Sequence, residues 1–150
     1  MSYLPASVPA PEPSESSAPF WAWCDRQQLK FQQCEDCGHL VHPPLGVCPQ
    51  CQSLRRGWTS APLNGCVFSF TWVHAAAHES VADALPYNVA VIEFSELPGV
   101  RLVSNVIDAD KTTLRIGLAV TLVWESIDGE HFLPRFAAAG SAATTPAATS

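Results

Sequence analysis

Positive charge is scarce in this sequence. Its 150 residues include only 8 Lys and Arg against 14 Asp and Glu, for a formal net charge of −6 and a pI near 5.2. The few cations are scattered along the chain, so no basic patch is available to neutralise a phosphate backbone. That argues against nucleic acid as a partner. Apolar residues make up 47% of the chain, yet no run is long enough to span a bilayer, and no membrane partner is expected. The first 19 residues are rich in Pro and Ser and lack the charged start and apolar run of an export signal. A cytoplasmic location is the expectation, in keeping with reduced cysteines. A glycine-rich phosphate loop is also missing. Cys24 and Cys66 have neither a neighbouring base nor a cluster of positive charge, as a nucleophile requires. No catalytic residue is expected from this chain.

What the chain does have is a cysteine frame. Cys34 and Cys37 form one Cys-x-x-Cys pair, Cys48 and Cys51 a second, ten residues further on. In such a turn both thiolates face one point. Gly38 suits the left-handed angle that follows the first pair, and Pro49 presets the second turn. Four sulfurs with no surplus ligand describe a closed structural zinc site. An iron centre on the same frame and two disulfides are the alternatives, and disulfides require an oxidising compartment. The spacing is shorter than the about fifteen to twenty residues of the common template. His39 and His42, inside the loop, are expected to be exposed.

Residues 1–17 hold four prolines and little to bury, and are expected to be a disordered tail, as are residues 137–150. Residues 18–30 read as a helix with Pro19 in its first turn. Its Phe20, Trp21 and Trp23 form an apolar end that either packs on the chain's own core or docks on another protein. A ribbon follows over 31–58, too small to build a core, so that the metal supplies its folding energy. From residue 65 the hydrophobicity alternates with period two. Strands are expected at 66–74, 87–94, 100–107, 120–125 and 130–136, with turns at Asn64-Gly65, Pro98-Gly99 and Asp128-Gly129. Five short strands over 59–136 describe an antiparallel barrel of the OB type, making the whole mainly β. The long connection 75–85 is a candidate short helix or lid. It carries His78, Glu79 and Asp83, which together with His74 read as solvated residues. Arg55 and Arg56, at the ribbon exit, are candidates for meeting a phosphate.

The order of these parts resembles a known family. Phe20-Trp21, Phe31-x-x-Cys34-x-x-Cys37-Gly38, Pro43-Pro44, Cys48-Pro49-x-Cys51, Ser69-x-Thr71, Pro86-Tyr87, Ile116-Gly117-x-x-Val120 and Leu133-Pro134-x-Phe136 occur in the sequence and spacing of the Zn-ribbon OB-fold proteins of acyl-CoA metabolism, long labelled a domain of unknown function. The resemblance covers about residues 19–136. It implies a non-catalytic accessory subunit that binds and stabilises a thiolase-like enzyme (a thiolase or aldolase) acting on acyl-CoA thioesters. It further implies a structural Zn2+, a 2:2 hetero-complex and a coenzyme A thioester at the shared interface. Partner binding would fall to Phe20, Trp21 and Trp23, with Arg55 and Arg56 toward the ligand. An oligonucleotide-binding module with Phe68, Trp72 and Phe94 as stacking platforms, and a self-sufficient hydratase or thioesterase, are the competing readings.

Overall fold

The computed structural model describes residues 2–140. Pro19 lies in the first turn of helix α1 (Ala18–Asp25), where its missing N–H has no intrahelical partner to lose. The helix stops at Asp25 rather than at the expected residue 30. Gln27 takes a left-handed φ of 55°, and the Gln27 and Gln28 amides donate back to the carbonyls of Cys24 (2.8 Å) and Trp23 (3.0 Å). This closure ordinarily uses glycine, so the sequence gives no sign of it.

The ribbon is a three-stranded antiparallel sheet of β1 (Lys30–Cys34), β2 (Leu40–Val41) and β3 (Arg56–Ser60), with β1 in the middle. Five further strands follow: β4 (Asn64–Val73), β5 (Tyr87–Glu93), β6 (Arg101–Ser104), β7 (Ala119–Ser126) and β8 (Phe132–Ala138). They pair antiparallel in the order β6-β5-β4-β7-β8. The sheet curls until its two ends meet. Val106, just past β6, bridges Phe136 in parallel, with Ile107 N donating to Phe136 O (2.8 Å) and Phe136 N to Asn105 O (3.0 Å). The result is the five-stranded OB-type barrel that the alternating pattern predicts.

Alternation places Asn88, Ala90 and Ile92 of β5 inside, together with Leu102, Val120, Leu122 and Phe136. The barrel core continues into the other two parts without a break. Phe20, Cys24, Leu29 and Phe31 belong to the same buried cluster as Phe94 and Phe136. Ring centroids run from Phe31 to Phe94 at 5.5 Å and from Phe94 to Phe136 at 6.2 Å. At the far side of α1, Asp25 accepts from Phe132 N (3.3 Å) and pairs with His131 Nδ1 (3.1 Å). The Asp25 carboxylate, helped by Asp128, raises the His131 pKa.

Three expectations need revising, and a fourth is narrowed. Asn64 and Gly65 are not a turn but the first residues of β4. A Cβ on Gly65 would lie 2.7 Å from Ile92 Cγ2 and 3.0 Å from the Glu93 carbonyl, so glycine is there to let β4 cross closely over β5. Of the two forms expected for connection 75–85 the short helix is the one found: a 3-10 helix, Glu79–Ala84, pinned by buried Val81 and capped by His78, whose ring accepts from Ser80 N. Strand β8 runs on to Ala138, past the expected end at residue 136; residues 141–150 lie outside the described residues. Residues 2–17 lie along the barrel, with Tyr3 N donating to Glu125 Oε2 at 2.7 Å, rather than standing apart as a structureless tail.

Because the contact is with strand backbone and a buried isoleucine, Gly65→Ala must push β4 and β5 apart. It is expected to destabilise the fold by about 1–3 kcal/mol, the range for overpacking. A urea titration would show this as a lower midpoint at unchanged slope; a wild-type midpoint would mean that the strands separate freely.

Candidate functional site

The two Cys-x-x-Cys turns are built alike. Gly38 N donates to Cys34 O and Gln52 N to Cys48 O, both at 2.9 Å, while Cys34 N donates to His39 O and Cys48 N to Ser53 O, again at 2.9 Å. The residue after each second cysteine is left-handed: Gly38 at φ 74° and Gln52 at φ 62°. Gln32, fully buried, holds the linker between the turns. Its side-chain amide donates to Leu45 O and accepts from Leu45 N, each at 3.0 Å.

These turns bring Cys34, Cys37, Cys48 and Cys51 together with all four sulfurs within 4.8 Å of one another. Cys34 and Cys51 are 3.6 Å apart, as are Cys37 and Cys48. A tetrahedral ion with metal–sulfur bonds of about 2.3 Å needs sulfurs about 3.8 Å apart, so the donor set fits zinc and leaves no position open. Among the described residues this is the one group of His, Cys, Asp and Glu placed to hold a metal. The Cys37 amide N–H draws the Cys34 thiol down to about 6, and the Cys51 N–H lowers Cys48 likewise. Cys51 goes the other way. Although the Ser53 amide lowers it, the thiols of Cys37, Cys34 and Cys48 push it up to about 12. Four thiolates this close do not ionise together without a cation among them.

Around the metal turn, one expectation changes. His42 is not an exposed loop residue. Its ring lies between Phe20 (5.0 Å) and Phe31 (5.1 Å), with Nδ1 buried and unpartnered, and burial lowers its pKa to about 4. Arg55 pairs with Asp36 (2.7 Å) and Glu35 (3.3 Å), so a phosphate would have to compete with two carboxylates. Arg56 is half-buried and keeps Nη1 buried without a partner.

The helix aromatics separate. Phe20 belongs to the core at 4% exposure and reaches the floor of the groove that Trp21 also lines. Trp21 is half-buried, edge-on to Phe20 at 5.1 Å. Its ring lines a groove with Pro43, Pro44, Leu102 and Val103. Trp23 is half-buried beneath the Lys30 ammonium (3.6 Å) and the Arg26 guanidinium (5.1 Å). The barrel aromatics offer no stacking row: Phe94 is in the core, Trp72 packs against it, and Phe68 is covered by the Arg101 guanidinium at 3.6 Å. Asn88, Asn105 and half-buried Tyr3, which no local motif marks, form a polar group at the barrel mouth. The one local signal is Asn88, a polar residue at a position where alternation along β5 places apolar ones.

Comparison with known proteins agrees with this architecture. Residues 21–55 match the family model of the ChsH2 rubredoxin-like zinc ribbon domain, and residues 58–125 that of the ChsH2 C-terminal OB-fold domain. The chain is 34% identical over 128 residues to a probable enoyl-CoA hydratase alpha subunit of Thermomonospora curvata, covering 85% of this chain but 39% of that protein. It is 29% identical over 108 residues to a DUF35 domain-containing scaffold protein of Methanothermobacter thermautotrophicus, covering 70% of this chain and 77% of that one. A solved chain described as Ltp2-ChsH2(DUF35) aldolase superposes with a TM-score of 0.77 at 32% identity, over 87% of this chain and 99% of that chain. A DUF35 protein from Sulfolobus solfataricus, at 17% identity and a TM-score of 0.59, shares the fold.

Two outcomes test the site. Replacing Cys34 and Cys37 together by Ser should abolish zinc binding and melt the ribbon, seen as loss of amide protection in β1–β3 and of one equivalent of metal; retained protection would mean that the ribbon folds without its ion. His42, whose folded pKa lies below its unfolded value near 6.5, takes up its proton more readily when unfolded. Stability is therefore lost as pH falls from about 6.5 toward 4, by up to about 3 kcal/mol for a shift of this size. His42→Phe should flatten that acid limb in urea titrations at pH 7 and pH 4.5, and an unchanged limb would place the acid sensitivity elsewhere.

Proposed function

Since the chain belongs to the ChsH2 (DUF35) family of zinc-ribbon and OB-fold proteins, we propose that it is a non-catalytic accessory subunit of a thiolase-like enzyme acting on acyl-CoA thioesters. The observation that carries this reading is the likeness, over nearly the full length of the matched chain, to the solved structure described as an Ltp2-ChsH2(DUF35) aldolase. The names of the archaeal relatives, DUF35 domain-containing scaffold proteins, support it.

The chemistry of the chain favours the same role. Its metal is closed on all four sides by sulfur, so the ion builds shape and does not activate water. In this reading Trp21 and Trp23 supply the partner-facing aromatic surface beside the groove of Pro43, Pro44 and Val103, as large aromatics do at interface centres. The partner brings the catalytic groups, the complex is a 2:2 assembly, and a coenzyme A thioester lies at the shared interface. Arg55 would reach it only by giving up Asp36 and Glu35.

Co-purification from the native host at moderate salt tests the proposal directly. A thiolase-like acyl-CoA enzyme is expected at equal stoichiometry with zinc, and the chain alone should turn over no acyl-CoA; a zinc-loaded monomer that copurifies with nothing would overturn it. Replacing Trp21 and Trp23 by Ala should weaken that association at least tenfold at unchanged zinc content. Wild-type affinity would place the interface away from α1.

A further inference from the structure

The mouth of the barrel holds more buried polarity than an OB core needs. Asn88 is fully buried on β5 and Asn105 nearly so. Asn88 Nδ2 donates to Val106 O (2.9 Å), Val106 N donates to Asn88 Oδ1 (2.9 Å), and Asn105 Nδ2 donates to Asn88 O. On the rim, Arg135 donates to Asn105 Oδ1 and pairs with Glu125 at 3.3 Å, the two side chains being 12% and 13% exposed. Arg135 Nε is buried with no partner.

This mouth has an occupant. The Tyr3 hydroxyl accepts from Asn88 N (3.0 Å) and Asn88 Nδ2 (2.7 Å), and the Tyr3 amide donates to Glu125 Oε2 (2.7 Å). Two donors converge on one oxygen and one carboxylate receives one amide. That is recognition of a tyrosine by both its side chain and its backbone, 122 residues away in sequence for the second contact. Beyond Tyr3 the segment continues over an apolar surface. Leu4, Pro5, Val8 and Pro9 line a crevice with Ile127 and Leu133, and Pro11 and Pro13 line the next one with Trp21 and Phe132. Prolines lose little freedom when they dock, which favours such segments on grooves lined by aromatic rings.

We propose that this face is a peptide-binding groove for a tyrosine-led, proline-rich segment, occupied in the free protein by the chain's own residues 2–13. The tyrosine is the anchor and the prolines are the tether. The groove lies on β7, β8, the mouth and the Trp21 side of α1, apart from the zinc turns, and its existence does not depend on the accessory-subunit reading.

The test uses the full chain. In Tyr3→Ala the anchor is gone and the mouth is open. A fluorescein-labelled peptide with the sequence of residues 2–13 should then bind, by anisotropy, at least tenfold more tightly than it binds the wild-type chain, whose groove is filled. The same peptide with Tyr3→Ala should bind the opened chain at least tenfold more weakly. Zinc content and far-UV circular dichroism check that the variant is folded. Should it fail to fold, Tyr3→Phe removes only the hydroxyl, and hydrogen exchange of the Asn88 amide is expected to accelerate at least tenfold while that of Val91, paired with β6 across the sheet, stays as in wild type. Equal peptide affinity for wild-type and opened chains, or unaltered Asn88 exchange in Tyr3→Phe, would overturn the proposal.

Discussion

Everything in this molecule leans on one file of rings. Phe20, His42, Phe31, Phe94 and Phe136 contact in succession, with centroid separations of 5.0 to 6.2 Å, running from the helix through the ribbon into the barrel. A ribbon of this size cannot bury its own apolar residues, and a helix of 8 residues cannot hold itself together in water. Both borrow the barrel's core. The three parts therefore form one cooperative structure in which the metal turns are positioned by Phe31, three residues before Cys34, as much as by the ion. Buried aromatics contribute about 1.5–3 kcal/mol each, so the file outweighs any surface pair in the chain.

The zinc turns and the barrel mouth solve the same problem at opposite ends of this core. Each must satisfy a cluster of polar atoms drawn from distant parts of the chain. In the ribbon the backbone does the work: paired amides and carbonyls close both turns, amide N–H groups face the sulfurs, and Gln32 satisfies both polar groups of Leu45. At the mouth side chains do it, with Asn88 bridging Val106 in both directions and Tyr3 completing it. The junction between them is different. His42 is held neutral by burial, with one nitrogen unpaired, so acid acts at the place where ribbon, helix and barrel meet.

How much of this was legible beforehand follows from the range of each interaction. The cysteine frame and the alternating strands are local patterns, and both are read directly from residue spacing. The helix end is not legible because Gln27 occupies a left-handed position that glycine usually marks. Asn64-Gly65 reads as a turn pair, whereas the role of Gly65 is set by Ile92, which comes near only after β4 and β5 pair. His42 reads as a surface residue, and Phe20 as either core or interface, because nothing nearby in sequence covers them; in the fold the His42 ring packs between Phe20 and Phe31. Residues 2–17 have the composition of a tail, and composition does not reveal that Asn88 and Glu125 wait for Tyr3. Local patterns were readable, and contacts across the core were not.

The distribution of charged groups has a consequence for how such a chain works. Arg55 is committed to Glu35 and Asp36, Arg135 to Glu125 and Asn105, and His131 to Asp25. These groups hold loops and elements in place, so what the chain offers outward is mainly shape. Trp21 is where that shape is most exposed to competition. Trp21 lines the groove with Pro43, Pro44 and Val103 and also the crevice lined by Pro11 and Pro13. Both surfaces end on a single side chain packed edge-on to Phe20, the first ring of the file.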